Sequence, residues 1–298
     1  MTEIVEVGAD RADDVVAVIH GSFAGRPELD PPSTALDETS GSVAAALAEH
    51  GGLLAVHDGQ PVGALLFSAG ALLGLRRVGV LAEARKHGVA SLLAERAEAV
   101  ARERGYAGLI LEARTELPQT VLFWQRHGYT EVDRHGTQLH LQRLLPTRLV
   151  LPTPEETTAA GTRLAGVLRG GDLVILAGDL GAGKTTFTQG LGAGLGVRGS
   201  VTSPTFVISR VHPSLVGGPA LIHVDAYRLG DSAELDDLDL DTDVDQAVTV
   251  VEWGSGLAEA LSTDRLEITL HRAADDVRTM TLTPVGTRWT GVDLGLAE

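Results

Sequence analysis

The sequence predicts an α/β protein of two domains. Short β-branched runs alternate with helix-forming stretches along the chain, and the alternation breaks around Pro146. A glycine-rich turn at residues 178–185 lies between an apolar run and a helix. A length of 298 residues suits about two domains, predicted as 1–146 and 147–298. The first should hold a mixed sheet with helices. The second should hold a sheet of the P-loop type, also flanked by helices.

In the first domain Ile4–Val7 reads as a strand, and Asp10–His20 as a helix with Val15, Val16 and Ile19 on one face. Residues 25–40 are polar and Pro-containing, as a loop or helix linker would be. Val43–His50 is helical. Leu53–His57 and Pro61–Phe67 flank Asp58-Gly59, a hairpin turn signal. Leu72–Leu81 is a strand, and Val89–Arg104 is a helix that stops at Gly105. Ala107–Ala113 is a strand, Pro118–His127 a short helix closed by Gly128, and two strands follow to about Leu144.

The second domain restarts with a strand at Leu149–Leu151. Thr153 has the character of an N-cap, with Pro154 at the first helical position and Glu156 three residues on. That helix should run to about Leu168, before Gly170-Gly171. Asp172–Ala177 is a buried strand, followed by the glycine-rich turn and a helix from Lys184. Further strands are expected near Phe206–Val211, Ala220–Asp225, Val248–Glu252, Leu266–His271 and Arg278–Thr283.

The formal net charge of −16 argues against a strong direct grip on nucleic acid or anionic membranes. With no cysteine, thiolate metal sites, disulfides and cysteine nucleophiles are excluded. The N-terminal stretch has neither the basic nor the apolar region of a signal peptide, and no apolar run is long enough to span a bilayer. A cytoplasmic protein is expected.

Gly178-Asp179-Leu180-Gly181-Ala182-Gly183-Lys184-Thr185 fits a P-loop. Glycines let successive amides turn toward phosphate oxygens, and the following helix points its positive end at the same anion. A nucleoside triphosphate is therefore expected against residues 179–186, including Thr186, and the resemblance given below makes it ATP. Lys184 supplies a full charge to the β/γ-phosphates, and Thr185 a hydroxyl to Mg2+. Lys86 and Lys184 are the only lysines in the chain. Asp225 and Glu252 each end an apolar strand, where a magnesium-side carboxylate and a water-positioning group belong. Asp241, Asp243, Asp245 and Glu252 also match the carboxylates of a calcium loop, but Gln246 stands where the sharp turn needs Gly. The acidic run 231–245 reads instead as a solvated loop or a docking surface.

Four strings together resemble the TsaE (YjeE) ATPases of tRNA threonylcarbamoyladenosine synthesis. They are Gly178-Asp179-Leu180-Gly181-Ala182-Gly183-Lys184-Thr185-Thr186-Phe187, Thr202-Ser203-Pro204-Thr205-Phe206, His223-Val224-Asp225-Ala226-Tyr227-Arg228-Leu229 and Val251-Glu252-Trp253. The resemblance covers about 147–298. It implies that Asp225 and Glu252 serve the magnesium and the attacking water, that Trp253 lies near the nucleotide, and that Ser203 and Thr205 belong to a switch segment. It also implies a partner, the threonylcarbamoyl transferase complex of TsaB/TsaD-type proteins, and only indirect engagement of tRNA. Gly254 replaces the family's usual Pro, which should alter a turn rather than the chemistry.

In the first domain Arg85-Lys86-His87-Gly88-Val89-Ala90 opens the helix to Arg104, and Phe123-Trp124-Gln125-Arg126-His127-Gly128-Tyr129 follows the next strand. This arrangement resembles the GNAT acyltransferases over about 1–145. It implies that residues 85–90 hold the pyrophosphate of acetyl-CoA. Trp124 stands where many members carry a Tyr general acid, and an indole cannot protonate a leaving thiolate as a phenol can. His127 and Glu83 are substitutes that read equally well as surface residues, so the catalytic residues and the acyl acceptor stay unassigned. The whole chain then reads as an ATPase fused to an acetyltransferase-like domain. The alternatives are a small-molecule kinase, or a nucleotide-gated scaffold with a degenerate acyltransferase domain. The segment after Asp225 is a poor phosphate lid, since Arg228 is followed by the acidic run.

Overall fold

The computed structural model describes all residues except 28, 205–207, 229–245 and 297–298. The chain divides into two compact units, Met1–Leu145 and Pro146–Glu298.

The first unit is built on a seven-stranded mixed sheet. Its strands are β1 (Thr2–Val7), β2 (Gly52–His57), β3 (Gln60–Ser68), β4 (Leu73–Val80), β5 (Gly108–Arg114), β6 (Thr130–His135) and β7 (Gln138–Leu144), in the order β1-β2-β3-β4-β5-β7-β6. The β2–β3 turn takes positive φ at both Asp58 (48°) and Gly59 (80°), so the chain reverses with the twist of its strands. Helices α1 (Ala12–Phe23) and α2 (Ser40–His50) cover one face, packing Val15, Val18, Ile19, Val43 and Leu47 on Leu54, Ala64 and Leu66. On α1, Val15 and Ile19 are buried as expected, Val16 packs partly buried against the same core, and Val18 joins them. Helices α3 (Val89–Glu103) and α4 (Pro118–Arg126) cover the other face over a core including Leu65, Phe67, Leu93, Leu109 and Leu141.

The second unit contains β8 (Thr147–Leu151), β9 (Leu173–Ala177), β10 (Ser209–His212), β11 (Ala220–Asp225), β12 (Ala247–Glu252), β13 (Arg265–Arg272) and β14 (Arg278–Val285), in the order β10-β11-β12-β9-β13-β14-β8. Strands β11, β12, β9 and β13 are parallel, and antiparallel strands flank them on both sides. The central strands are buried on both faces, which explains their near-continuous apolar runs.

Helix α5 (Pro154–Ala165) begins with the expected capping box, Thr153 and Glu156 each bonding the other's backbone amide. It ends three residues before Leu168, because the Gly166 amide already closes the final turn onto Arg163 O and Leu164 O. Helix α6 (Lys184–Gly194) lies closely on α5. A Cβ at Gly190 would overlap the Thr158 carbonyl, so glycine sets this approach. The strand expected over Phe206–Val211 begins at Ser209, and its first two expected residues lie outside the described set.

Candidate functional site

In a parallel sheet flanked by helices, the loops at the carboxyl ends of the strands form the natural ligand crevice. Strand β9 delivers the chain there at Ala177, and α6 leads away from Lys184. The connecting turn has left-handed glycines, Gly178 (φ 136°), Gly181 (79°) and Gly183 (107°). A Cβ at Gly178 would also collide with the Leu270 carbonyl of β13, so no other residue fits there. Gly183 caps α6 without a side-chain acceptor. The first amides of any helix lack partners within the helix, so α6 presents donors to an anion. This cradle fits a polyphosphate.

Lys184 is buried, and its ammonium donates to Gly178 O (2.7 Å) and Asp179 O (3.1 Å). It also lies 3.9 Å from the centre of the Trp253 ring. Burial lowers this ammonium below the usual lysine range, while Glu252, Asp225 and Asp179 oppose that shift. Trp253 directly follows β12 at φ 61°, and its amide donates to Leu176 O of β9 (2.9 Å). Tyr227 meets the Trp253 ring edge-on, with centroids 5.3 Å apart. The amides of Leu257 and Ala258 donate to Gly254 O, so this glycine stands in a turn after Trp253.

Asp225 and Glu252 are register partners at the ends of β11 and β12. The Thr185 hydroxyl donates to Glu252 Oε1 (3.0 Å), which ties the first turn of α6 to the strand next to β9. Asp225 accepts from Ser203 Oγ at Oδ2 (3.2 Å) and from the Tyr227 amide at Oδ1 (3.1 Å). Both carboxylates are buried. The structure thus brings Lys184, Thr185, Asp225, Glu252 and Trp253 together, with Ser203 attached through Asp225. Thr205 and Asp241, Asp243 and Asp245 lie outside the described residues. Among the described residues no three His, Asp or Glu side chains form a metal-binding group. Magnesium commonly takes one or two carboxylates and completes its shell with phosphates and water, so Thr185 with Asp225 and Glu252 is the set that fits it.

Sequence reasoning gave His223 no role. It is fully buried, and its Nε2 lies 2.9 Å from Glu252 Oε1. The available signal was a lone imidazole inside the apolar run Leu221-Ile222-His223-Val224, two residues before a strand-end carboxylate.

In the first unit, β4 and β5 pair only through Leu73–Leu75 and Leu109–Leu111, yet β4 continues to Val80 and β5 to Arg114. Past these three pairs the two strands separate. The Arg26 guanidinium donates to Val78 O (3.2 Å), and Arg85 Nε donates to Val80 O (3.2 Å). Burial, with Arg85 nearby, lowers Arg26 to about 10. The turn before α3 carries Lys86 at φ 68° and Gly88 at φ 76°, with Lys86 and His87 exposed. Gly88 caps α3 without a side-chain acceptor, and Val89 and Ala90 begin the helix. This cradle also fits a phosphate group.

A proton donor is harder to find there. Trp124 is buried, edge-on to Phe123 and Tyr129. Burial raises the Tyr129 phenol well above its ordinary value, and its hydroxyl meets no partner among the described residues. The His127 ring nitrogens lie against Phe123 O (2.8 Å) and Ser91 Oγ (3.1 Å). Glu83 is exposed in the turn after β4.

Two family models match the chain. The model described as threonylcarbamoyl adenosine biosynthesis protein TsaE matches residues 151–280, and that of the acetyltransferase (GNAT) family matches residues 19–129. A protein of Streptomyces coelicolor named tRNA threonylcarbamoyladenosine biosynthesis protein TsaE is 60% identical over 141 residues, which are 46% of this chain and 95% of that protein. Proteins of the same name from Mycobacterium leprae and Bacillus subtilis are similar at 52% and 45% identity. Their matches cover 43% and 46% of this chain, and 84% of each relative. Among the described residues no helix is long and apolar enough to cross a membrane.

Proposed function

The chain belongs to the TsaE family through its second unit, and from that premise we propose that this unit hydrolyses ATP in support of threonylcarbamoyladenosine formation on tRNA. The Thr185–Glu252 hydrogen bond carries the reading, since it joins the P-loop helix to a strand-end carboxylate beside the phosphate cradle. The backbone of residues 179–186 holds the phosphates. Lys184 exchanges its two carbonyl acceptors for β/γ-phosphate oxygens, and its charge offsets the charge that develops during transfer. Thr185 with Asp225 and Glu252 would hold Mg2+, which when bound would supply charge neutralisation to the phosphates. A hydroxyl oxygen can bind a metal while its proton still donates, so Thr185 keeps its bond to Glu252 in that arrangement. Glu252 orients the attacking water and accepts its proton. Trp253 and Tyr227 form a wall on the nucleotide side of Lys184. Ser203 and Thr205 act as the switch segment, and Ser203 is linked to the site through Asp225.

The partner in this reading is the threonylcarbamoyl transferase complex of TsaB/TsaD-type proteins, in the cytoplasm, with tRNA engaged through that complex. The first unit binds acetyl-CoA with its pyrophosphate on residues 85–90, and transfers the acetyl group to an acceptor still to be identified. The exposed turn and the splayed strands support this. Hydrolysis of ATP by Lys184→Ala beside the unaltered chain tests the central site. Loss of about a hundredfold or more is expected, and full retention contradicts the assignment.

A further inference from the structure

His223 has no task in the chemistry proposed above, yet its imidazole is fully buried in the core of the second unit. A buried polar ring costs free energy unless it gains a partner, and an aliphatic residue would fill this strand position at no such cost. Its partner is Glu252. Alternation along β11 and β12 puts His223, Asp225, Val250 and Glu252 on one face of the sheet, since His223 is the register partner of Val250 and Asp225 that of Glu252. Nε2 and the Thr185 hydroxyl converge on the same oxygen, Oε1, from β11 and α6. Among the described residues no donor reaches Oε2.

Because a carboxylate only accepts, the imidazole donates through Nε2–H. Nδ1 is buried and meets no partner among the described residues. The Nε2–H tautomer leaves only a lone pair unmatched there, whereas a proton on Nδ1 would be an unpaired buried donor.

We propose that His223 is a positioning residue for ATP hydrolysis: it anchors Oε1 of Glu252 from the rigid sheet, so that the carboxylate holds one orientation and Oε2 remains the acceptor for the attacking water. Among the described residues Thr185 is the only other anchor, and it belongs to the helix that must also serve nucleotide and metal. This inference rests on the reading of Glu252 as the water-orienting group.

The test compares His223→Leu and His223→Gln in the full chain, with Lys184→Ala alongside. His223→Leu should lower kcat for ATP hydrolysis about tenfold with KM for ATP little changed. His223→Gln, whose amide N–H extends toward the same oxygen, should recover most of that loss. Histidine 15N NMR of the nucleotide-free chain should show His223 as the Nε2–H tautomer, with its resonance displaced in Glu252→Gln. A His223→Leu chain with undiminished kcat, or an Nδ1–H tautomer in the unaltered chain, overturns the proposal. Should His223→Leu not fold, the tautomer and the displacement of its resonance in Glu252→Gln decide it. Undiminished hydrolysis by Lys184→Ala would instead overturn the site reading itself.

Discussion

At the end of β12 a hydroxyl and an imidazole converge on one carboxylate oxygen; at the splayed ends of β4 and β5 two arginines bond backbone carbonyls. Both places have a glycine-bearing turn that opens a helix, so both offer backbone donors to phosphate. They differ in what stands opposite that cradle. In the second unit the strand-end groups are buried and interlocked. In the first, the aromatic residues of the motif are packed into the core, and both His127 nitrogens already have partners. Holding a phosphate-bearing cofactor and carrying out chemistry on it are separate achievements, and both units have backbone suited to the first.

The largest effect that would break this contrast is expected at Glu252. Replacing it with Gln should lower ATP hydrolysis by about a hundredfold, while a fluorescence titration still shows nucleotide binding. Undiminished turnover would move the water-positioning role elsewhere. Next comes Thr185→Val, which removes the hydroxyl at nearly constant volume. A tenfold or larger rise in the magnesium concentration needed for half-maximal hydrolysis is expected, of the order that losing one charge-assisted bond brings. An unchanged magnesium requirement would separate Thr185 from the metal.

In the first unit, Gly88→Val forces a β-branched residue into a left-handed conformation at φ 76°. Calorimetry should show acetyl-CoA affinity reduced about tenfold, with ATP hydrolysis unaltered. Undiminished affinity would detach the turn from the cofactor. The smallest effect is expected for Tyr129→Phe. Removing a buried hydroxyl that meets no partner among the described residues should change unfolding free energy by no more than about 1 kcal/mol. A loss of several kcal/mol in denaturant unfolding would mean that this hydroxyl does have a partner.

The sequence made the local devices readable. Asp58-Gly59 signals its hairpin, because few residue pairs tolerate two positive φ values. Thr153 and Glu156 signal a helix start, because their reciprocal bonds span a fixed three-residue gap. The cradle at 178–185 is readable for the same reason, since its chemistry lies in the backbone and in two adjacent side chains. The non-local features were not readable. Strand β9 lies between β12 and β13, far away in sequence, so residue spacing alone does not give the direct Thr185–Glu252 bond, although both were expected at one site. His223 was hidden because its importance comes from a partner 29 residues away on another strand. The early end of α5 was missed because Gly166 and Val167 lie inside an otherwise helical run. Around residues 85–90 and 123–129 the motifs gave a turn and a helix, but the burial of Trp124 is a property of packing.

The central claim is that the second unit serves threonylcarbamoyladenosine formation. Depleting this chain in its own cell and measuring tRNA nucleosides by mass spectrometry tests it most directly. The account predicts that threonylcarbamoyladenosine falls, that the unaltered chain restores it, and that the Lys184→Ala chain does not. An unchanged level of the modified nucleoside after depletion would contradict it.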